Sequence, residues 1–475
     1  MDFLFHHRRW LVFLLVLPGL LQGCHKNFLD AKPASTLSVP TTLSDFQTLL
    51  DNTNVFNLVP TMGEASTDDY FFTPNFYQTL NIRQQNTFIW APDIFEGQGS
   101  QLDWNMPYQQ VFYANVVLDG LGSKPQTDSV NEWNTVEGEA LFARAFAFYN
   151  LSQIFAPVYG MYADTTHWGI PLRLHADIST PSSRSTIPQT YQQILNDLDS
   201  AETFLPVMIP SGNAFRNRPV RVTAQALLAR VYLSMRNYPL ARAYADSALQ
   251  FYDSLIDYNS LDTTASIAFG LLNQETIYQA SFLGTGSYNG IPYSNAITGT
   301  FYPFTRIDSS LISSYDPNDL RRVIYYHYKP QDSSYLKGSY TGTNFCFGGL
   351  ATDELYLIRA EGAARAGDYA SAMKDINYLL SKRWYSGSFP GYTVASAQEA
   401  LDTVLLERRK ELAFRGLRWT DLRRLMEDGY NITINRSADG FPNAVLSPAT
   451  PDLYTLPIPP DVINLTKIIQ NLGRS

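Results

Sequence analysis

The sequence predicts a mostly α-helical protein, with tetratricopeptide-type helical hairpins as scaffold and a second, loop-rich and irregular half. Three observations lead there. Stretches such as 108–121 and 136–155 repeat apolar residues at helical spacing. Two Ala-rich stretches, 223–250 and 354–381, align with one another, Ala229 with Ala360, Tyr238 with Tyr369 and Ala241 with Ala372. The segments between them are dense in Gly, Asn and aromatic residues, in a chain whose 30 Tyr, 28 Phe and 7 Trp bring aromatics to 14%.

Composition narrows the function before any motif is read. The net charge is −9 over 475 residues, which argues against a broad basic face and so against nucleic acid. Charged residues are 17% of the chain, below the usual ~25%, as expected of a chain with a large packed core. With only Cys24 and Cys346, neither a disulfide framework nor a four-Cys zinc site is possible.

The amino terminus reads as an address. His6-His7-Arg8-Arg9 precedes an apolar run from Trp10 to Leu21, too short for a ~30 Å hydrocarbon core but suited to an export signal. Leu21-Gln22-Gly23-Cys24 resembles a bacterial lipoprotein box, so residues 1–23 are expected to be removed and Cys24 lipidated. Gln22 departs from the small residue usual there, and an ordinary secretory signal with an incidental cysteine is the alternative. A polar tether broken by Pro33 and Pro40 follows.

From there to Asn105, short helical pieces alternate with aromatic loops. Helices are expected over Tyr108–Leu121, Val136–Phe155 and Thr190–Leu205, the last introduced by Ser185, Thr186 and Pro188 as capping residues. In the first Ala-rich hairpin, Ala229 and Tyr232 share one helix while Ala241, Ala245 and Ala248 line the next, so two antiparallel helices approach closely. Ile376 and Leu379 replace two of these alanines in the second copy; two unrelated Ala-rich hairpins would read the same. Segments 282–305 and 335–349 are loops, and the Pro-punctuated tail from 446 holds no long helix in its first half.

Catalytic material is sparse. The four His beyond the signal, His25, His167, His175 and His327, form no HExxH, and no GxSxG elbow or GxxxxGK phosphate loop occurs. Cys346, between Phe345 and Phe347, reads as a core thiol. Asp68 and Asp69 are adjacent carboxylates beside Tyr70, expected in a solvated or calcium-touching loop; glycosidase chemistry needs two carboxyl groups at a set separation. The balance favours binding over catalysis, with no metal site and no cofactor.

Sugars present an apolar C–H face and a hydroxyl edge, so a site for them uses aromatic platforms with Asn or Asp at the margin. Three segments have that composition and supply the ligand-binding candidates: Asp69 and Tyr70; Trp104, Asn105 and Tyr108; Tyr288, Asn289, Tyr293 and Tyr302. Each aromatic alone is as readily a core residue, and Trp104 and Tyr108, four apart, pack equally well against a neighbour.

The blocks YQQVFYANVVLDGL (108–121), VEGEALFARAFAFYNLSQIFAPVYG (136–160), TAQALLARVYLSMRNYPLARAYADSAL (223–249), ELYLIRAEGAARAGDYASAM (354–373), ERRKELAFRGLRWTDLRR (407–424) and LPIPPDVINLTKIIQN (456–471) resemble, in that order, the SusD-like (RagB/SusD) family of nutrient-binding outer-membrane lipoproteins of Bacteroidota. Two departures stand in the most specific block: Arg415 where the family commonly has Glu, and Leu417 where His is frequent. Arg415 lies four residues after Glu411 and is expected to pair with it. Glu407, Arg408, Glu411, Arg418 and Asp421 read as a structural ion-pair network.

The resemblance implies a SusD-like α-helical fold, with tetratricopeptide-type hairpins as scaffold and an irregular ligand-binding half. It implies an N-terminal region over 24–250 and a C-terminal RagB/SusD region over 270–475. It further implies a non-enzymatic lipoprotein at the outer membrane, exposed at the cell surface, that binds oligosaccharides or polysaccharides and passes them to a SusC-like TonB-dependent transporter. Peptide capture by the same uptake route is the alternative, and a surface glycoside hydrolase a more distant one. The residues after Cys24 carry no acidic run, so the outward face rests on the resemblance alone.

Overall fold

The computed structural model describes residues 40–99, 102–123, 129–162, 167–207, 216–282, 305–327, 334–343, 345–437 and 442–474. The signal segment and Cys24 lie outside them, as do Tyr288, Asn289, Tyr293 and Tyr302. The longer helices are α1 (Leu102–Gly122), α2 (Val130–Phe155), α3 (Ile187–Phe204), α4 (Arg221–Ser234), α5 (Tyr238–Phe251), α6 (Thr352–Arg365), α7 (Tyr369–Ser381), α8 (Ala397–Glu411) and α9 (Arg418–Glu427). From α1 to α7 each packs on the next, and α8 packs on α6 and α7, so order in space follows order in the chain.

Helix α2 is buried on nearly every side, which suits its run of Ala and aromatic residues. Its Arg144 joins three helices: the guanidinium donates to Asp197 of α3 at 2.8 and 2.7 Å and to Asn115 of α1 at 2.9 Å. Helix α3 begins where its caps are: Thr186 and Gln189 close a capping box and Pro188 sits in the first turn. Helices α1 and α2 each start six residues earlier than expected, because Pro107 is accommodated inside α1 and residues 130–135, exposed or half-buried, continue α2 toward solvent.

The two hairpins, α4–α5 and α6–α7, repeat in conformation as well as in sequence. Arg236 and Gly367, at matching positions, both take positive φ, 61° and 83°. The next residues, Asn237 and Asp368, then cap α5 and α7. Ala229, Ala241, Ala245, Ala248, Ala360 and Ala372 are fully buried, and the Tyr232 and Tyr244 rings stack at 5.5 Å beside the first set. Gly362 brings α6 onto α5: a Cβ there would stand 2.6 Å from Arg242 Cβ and 3.0 Å from the Tyr238 carbonyl oxygen.

The irregular half is held by short ladders. Leu58–Val59 runs parallel to Ser281–Phe282, and Tyr70–Phe72 pairs antiparallel with Thr305–Ile307. Thr276–Tyr278 pairs with Leu350–Ala351, which leads directly into α6. Residues from Thr42 onward form one compact unit, and its largest core cluster draws on residues from Val59 to Ile468. Among the described residues, no helix is long and apolar enough to cross a membrane.

Gly362→Ala separates propensity from packing. Alanine in a helix interior gains about 1 kcal/mol over glycine, whereas overpacking against backbone costs about 1–3 kcal/mol. The close approach of α5 makes the second effect win, so urea unfolding is expected to show net destabilisation.

Candidate functional site

The aromatic segments divide into core and rim. Asp69 is fully buried, and Arg409 Nε donates to its Oδ1 at 2.9 Å. Asp68 accepts a bidentate pair from Arg418, both bonds 2.7 Å. The expectation of a solvated or calcium-touching loop is therefore corrected: arginines from α9 and the end of α8 occupy both carboxylates. Burial raises the pKa of each acid and is the largest single influence on Asp68, but the charge and hydrogen bonds of Arg418 together with the charge of Arg409 overcome it and hold that carboxyl below the usual range. Asp69 is raised, by burial first, against Arg409 and with the neighbouring charge of Asp68 adding to it.

Tyr70 is likewise a core residue. Its hydroxyl donates to the Ala65 carbonyl at 2.6 Å, and its ring packs against Phe72 and Phe88. Arg436 lies over the same cluster, 3.7 Å from the Phe88 centroid and 4.4 Å from that of Trp90. Trp104 is buried between Tyr108 and Phe155, with ring centroids at 4.9 and 5.0 Å, so it packs α1 on α2 instead of facing a ligand. Tyr108 is half-buried and donates to the Pro171 carbonyl at 2.9 Å; Asn105 is exposed. Of the five candidates among the described residues, Asp69, Tyr70 and Trp104 are thus closed to solvent.

Strand alternation explains the Tyr70 correction. Successive side chains of a strand point to opposite faces, so with Tyr70 and Phe72 inward Phe71 turns outward, where it is half-buried and pairs in register with Arg306. Segment 283–304, home of the remaining candidates, departs from Phe282 and returns at Thr305. Both flanks pair with the same 58–72 stretch. Phe71 and Arg306 therefore stand at the root of the aromatic segment, and the sequence reading missed both.

The C-terminal block forms a buried charge network. Arg321 donates to Glu407 at 2.6 Å and Glu411 at 2.9 Å, and Arg383 to Glu411 at 2.7 Å and Glu275 at 2.8 Å. Arg408 and Arg424 both hold Asp421, at 2.9 and 2.8 Å, while Arg424 also reaches Glu361 of α6 at 2.6 Å. Arg415 does not pair with Glu411 as expected; it donates to Asp353 at 2.9 Å, because the chain turns sharply after α8, with Phe414 and Gly416 at positive φ. Among the described residues Glu275, Asp353 and Glu411 bring oxygens within 4.8 Å of one another, a spacing that a metal ion could use. Arg383 and Arg415 already supply the cationic charge there. Cys346 is fully buried, and burial pushes its thiol pKa up, which keeps it from acting as a nucleophile.

Comparison with known proteins agrees with the helical fold. Residues 27–233 match the family described as "Starch-binding associating with outer membrane", and residues 325–473 match the SusD family. The chain is similar to SusD-like protein P2 of Formosa agariphila, at 25% identity, covering 78% of this chain and 79% of that one. It is similar in fold to a SusD superfamily protein of Bacteroides thetaiotaomicron (TM-score 0.69, 21% identity, covering 90% of this chain and 99% of that one). The same holds for surface glycan-binding protein A of Bacteroides uniformis (TM-score 0.67, 16% identity, 91% and 100%).

The network is testable through its reassigned pair. Removing one partner of a buried ion pair costs about 3–5 kcal/mol, whereas replacing both by apolar residues of similar volume is often neutral. Arg415→Ala is expected to lose stability on that scale, and Arg415→Met with Asp353→Leu to recover most of it, in a double-mutant cycle read by chemical denaturation.

Proposed function

The chain belongs to the SusD (RagB/SusD) family, a family of glycan-binding proteins that are not enzymes, and on that premise we propose that it captures oligosaccharides or polysaccharides at the outer membrane and delivers them to a SusC-like TonB-dependent transporter. In this reading Cys24 carries the lipid that moors the protein, and the chain faces the cell surface. The observation that carries the binding function is the division of labour among the aromatic residues. Those of 70–108 are largely spent on the core, while Tyr288, Tyr293 and Tyr302, with Asn289, lie in a segment whose flanks are both fixed to the 58–72 stretch.

Flat rings offer a sugar's C–H face a platform, and Asn at the margin offers a hydroxyl both a donor and an acceptor. Phe71 and Arg306 add a ring and a charge at the root of that segment. Asn105 and Tyr108, at the solvent side of α1, are secondary candidates.

Titration of the mature protein against a polysaccharide panel tests the reading. Binding to at least one glycan is expected, and binding to peptides alone would replace the glycan reading with peptide capture. Aromatic contacts contribute on the order of 0.5–1.5 kcal/mol each, so Tyr288→Ala, Tyr293→Ala or Tyr302→Ala is expected to weaken glycan affinity about two- to tenfold. Tyr70→Phe is expected to leave affinity unchanged. For the anchor, Cys24→Ala is expected to move the protein from the membrane fraction to the soluble fraction.

A further inference from the structure

The segment around Glu64, helix α2, the Gly348 turn and the 415–420 corner meet around an internal cavity of about 40 Å³. Its lining includes Glu64, Asn150, Arg230, Arg415 and Trp419. Four of these bring buried polar atoms that meet no protein partner: Glu64 Oε1, Asn150 Nδ2, Arg415 Nε and Trp419 Nε1. One such atom is a packing flaw; four around one cavity are a set of binding groups. The other Glu64 oxygen is fixed, accepting from the Gly416 N–H at 2.9 Å, and Trp419 is held against Gly63, where a Cβ would stand 3.3 Å from the indole ring.

The donor set selects the guest. An apolar guest would satisfy none of these groups, and a cation would face the N–H donors of Asn150, Trp419 and Arg415. The guanidinium groups at the wall are already paired, Arg230 with Glu354 at 2.6 Å and Arg415 with Asp353 at 2.9 Å, so no unpaired cation calls for an anion. Water accepts from N–H donors and still has hydrogens for a carbonyl oxygen. One water needs about 10–15 Å³ of such space, so the cavity holds about three or four.

We propose that this cavity is a built-in water site, in which a small cluster of ordered waters bonds Glu64, Asn150 and Trp419 and joins the 59–64 segment to helix α2 and the 415–420 corner. The inference is independent of what the protein binds. The surroundings also keep Glu64 a neutral acid at neutral pH. Burial, then the charge of Asp69, raise its pKa to about 8; Asp68 adds to the rise, while the Gly416 N–H and Arg418 oppose it. Tyr149 from α2, with Arg230 and Arg415, completes the groups facing the cavity. The unfolded chain loses this proton near 4.5 and the folded one near 8. Stability contributed by the neutral acid is therefore present at low pH and falls away as pH rises across that window.

A high-resolution crystal structure grown in bromide tests the site. About three or four density peaks without anomalous signal are expected, among them ones within hydrogen-bond distance of Asn150 and Trp419, and Trp419→Phe is expected to lose the one on the indole nitrogen. A bromide anomalous peak, or a cavity without density, would overturn the proposal, as would a Trp419→Phe structure with unchanged peaks. Glu64→Gln keeps the hydrogen bonds but cannot ionise. Its melting temperature is expected to rise progressively above that of the unsubstituted protein between about pH 5 and about pH 9, and a gap constant with pH would overturn the neutral-acid assignment.

Discussion

Arg383 has no contact with solvent, and the two carboxylates that hold it, Glu275 and Glu411, arrive from parts of the chain more than a hundred residues apart. A guanidinium cannot shed its charge, so in that position it must have both partners or destabilise the whole fold. The same constraint runs through Arg321 and Arg415. With Lys410 these cations face Asp319, Glu407, Glu411, Glu275 and Asp353, one carboxylate too many. The excess is accommodated at Glu275, whose pKa is raised by burial and by the neighbouring acids, and which also accepts from the Tyr340 hydroxyl at 2.6 Å. Charge balance thus fixes where the 276–278 strand, the Arg321 turn and the end of α8 stand relative to one another.

The irregular half hangs from this arrangement. Arg409 follows Arg408 on α8, and Arg418 opens α9; together they clamp Asp68 and Asp69 just before the strand Tyr70–Phe72. A two-stranded ladder a few residues long has little stability of its own. What keeps 70–72 against 305–307 is the clamp behind it and the aromatic cluster beneath it, where Arg436 lies over Phe88 and Trp90.

The helical frame was legible because its signals are local. Alanines at helical spacing, a Ser or Thr cap, and Pro in a first turn all act within a few residues, so the hairpins and α3 could be read directly. The charged block 407–424 was legible as ion pairing for a related reason: charges this dense in an otherwise apolar chain must find one another. Which ones pair was not legible. The i+4 spacing favoured Glu411 for Arg415, yet the partner is Asp353, 62 residues away, brought there by a turn that spacing does not encode. Tyr70 failed differently. Tyr70-Phe71-Phe72 is aromatic at every position, so the two-residue period that decides which ring faces inward leaves no trace in composition. Trp104 was ambiguous because four-residue spacing serves packing and ligand platforms alike.

In the proposed reading, stability and recognition fall on different residues. The inward rings Tyr70 and Phe72 and the acids Asp68 and Asp69 belong to the frame, and changing them disturbs a packed cluster or a buried charge. Phe71 and Arg306 face the other way, and the segment between Phe282 and Thr305 is tied to the frame through its flanking ladders. A ladder bonds through backbone groups, which every residue but proline supplies alike, so the side chains between its ends are not constrained by it. On the proposed reading, the sequence of that segment is then free to follow the ligand while the arginine network, the helical stack and the Glu64 cavity stay the same. The groups holding the segment's roots are backbone amides and buried ions, neither of which reads the segment's side chains, so on the proposed reading what is bound can vary without the fold varying.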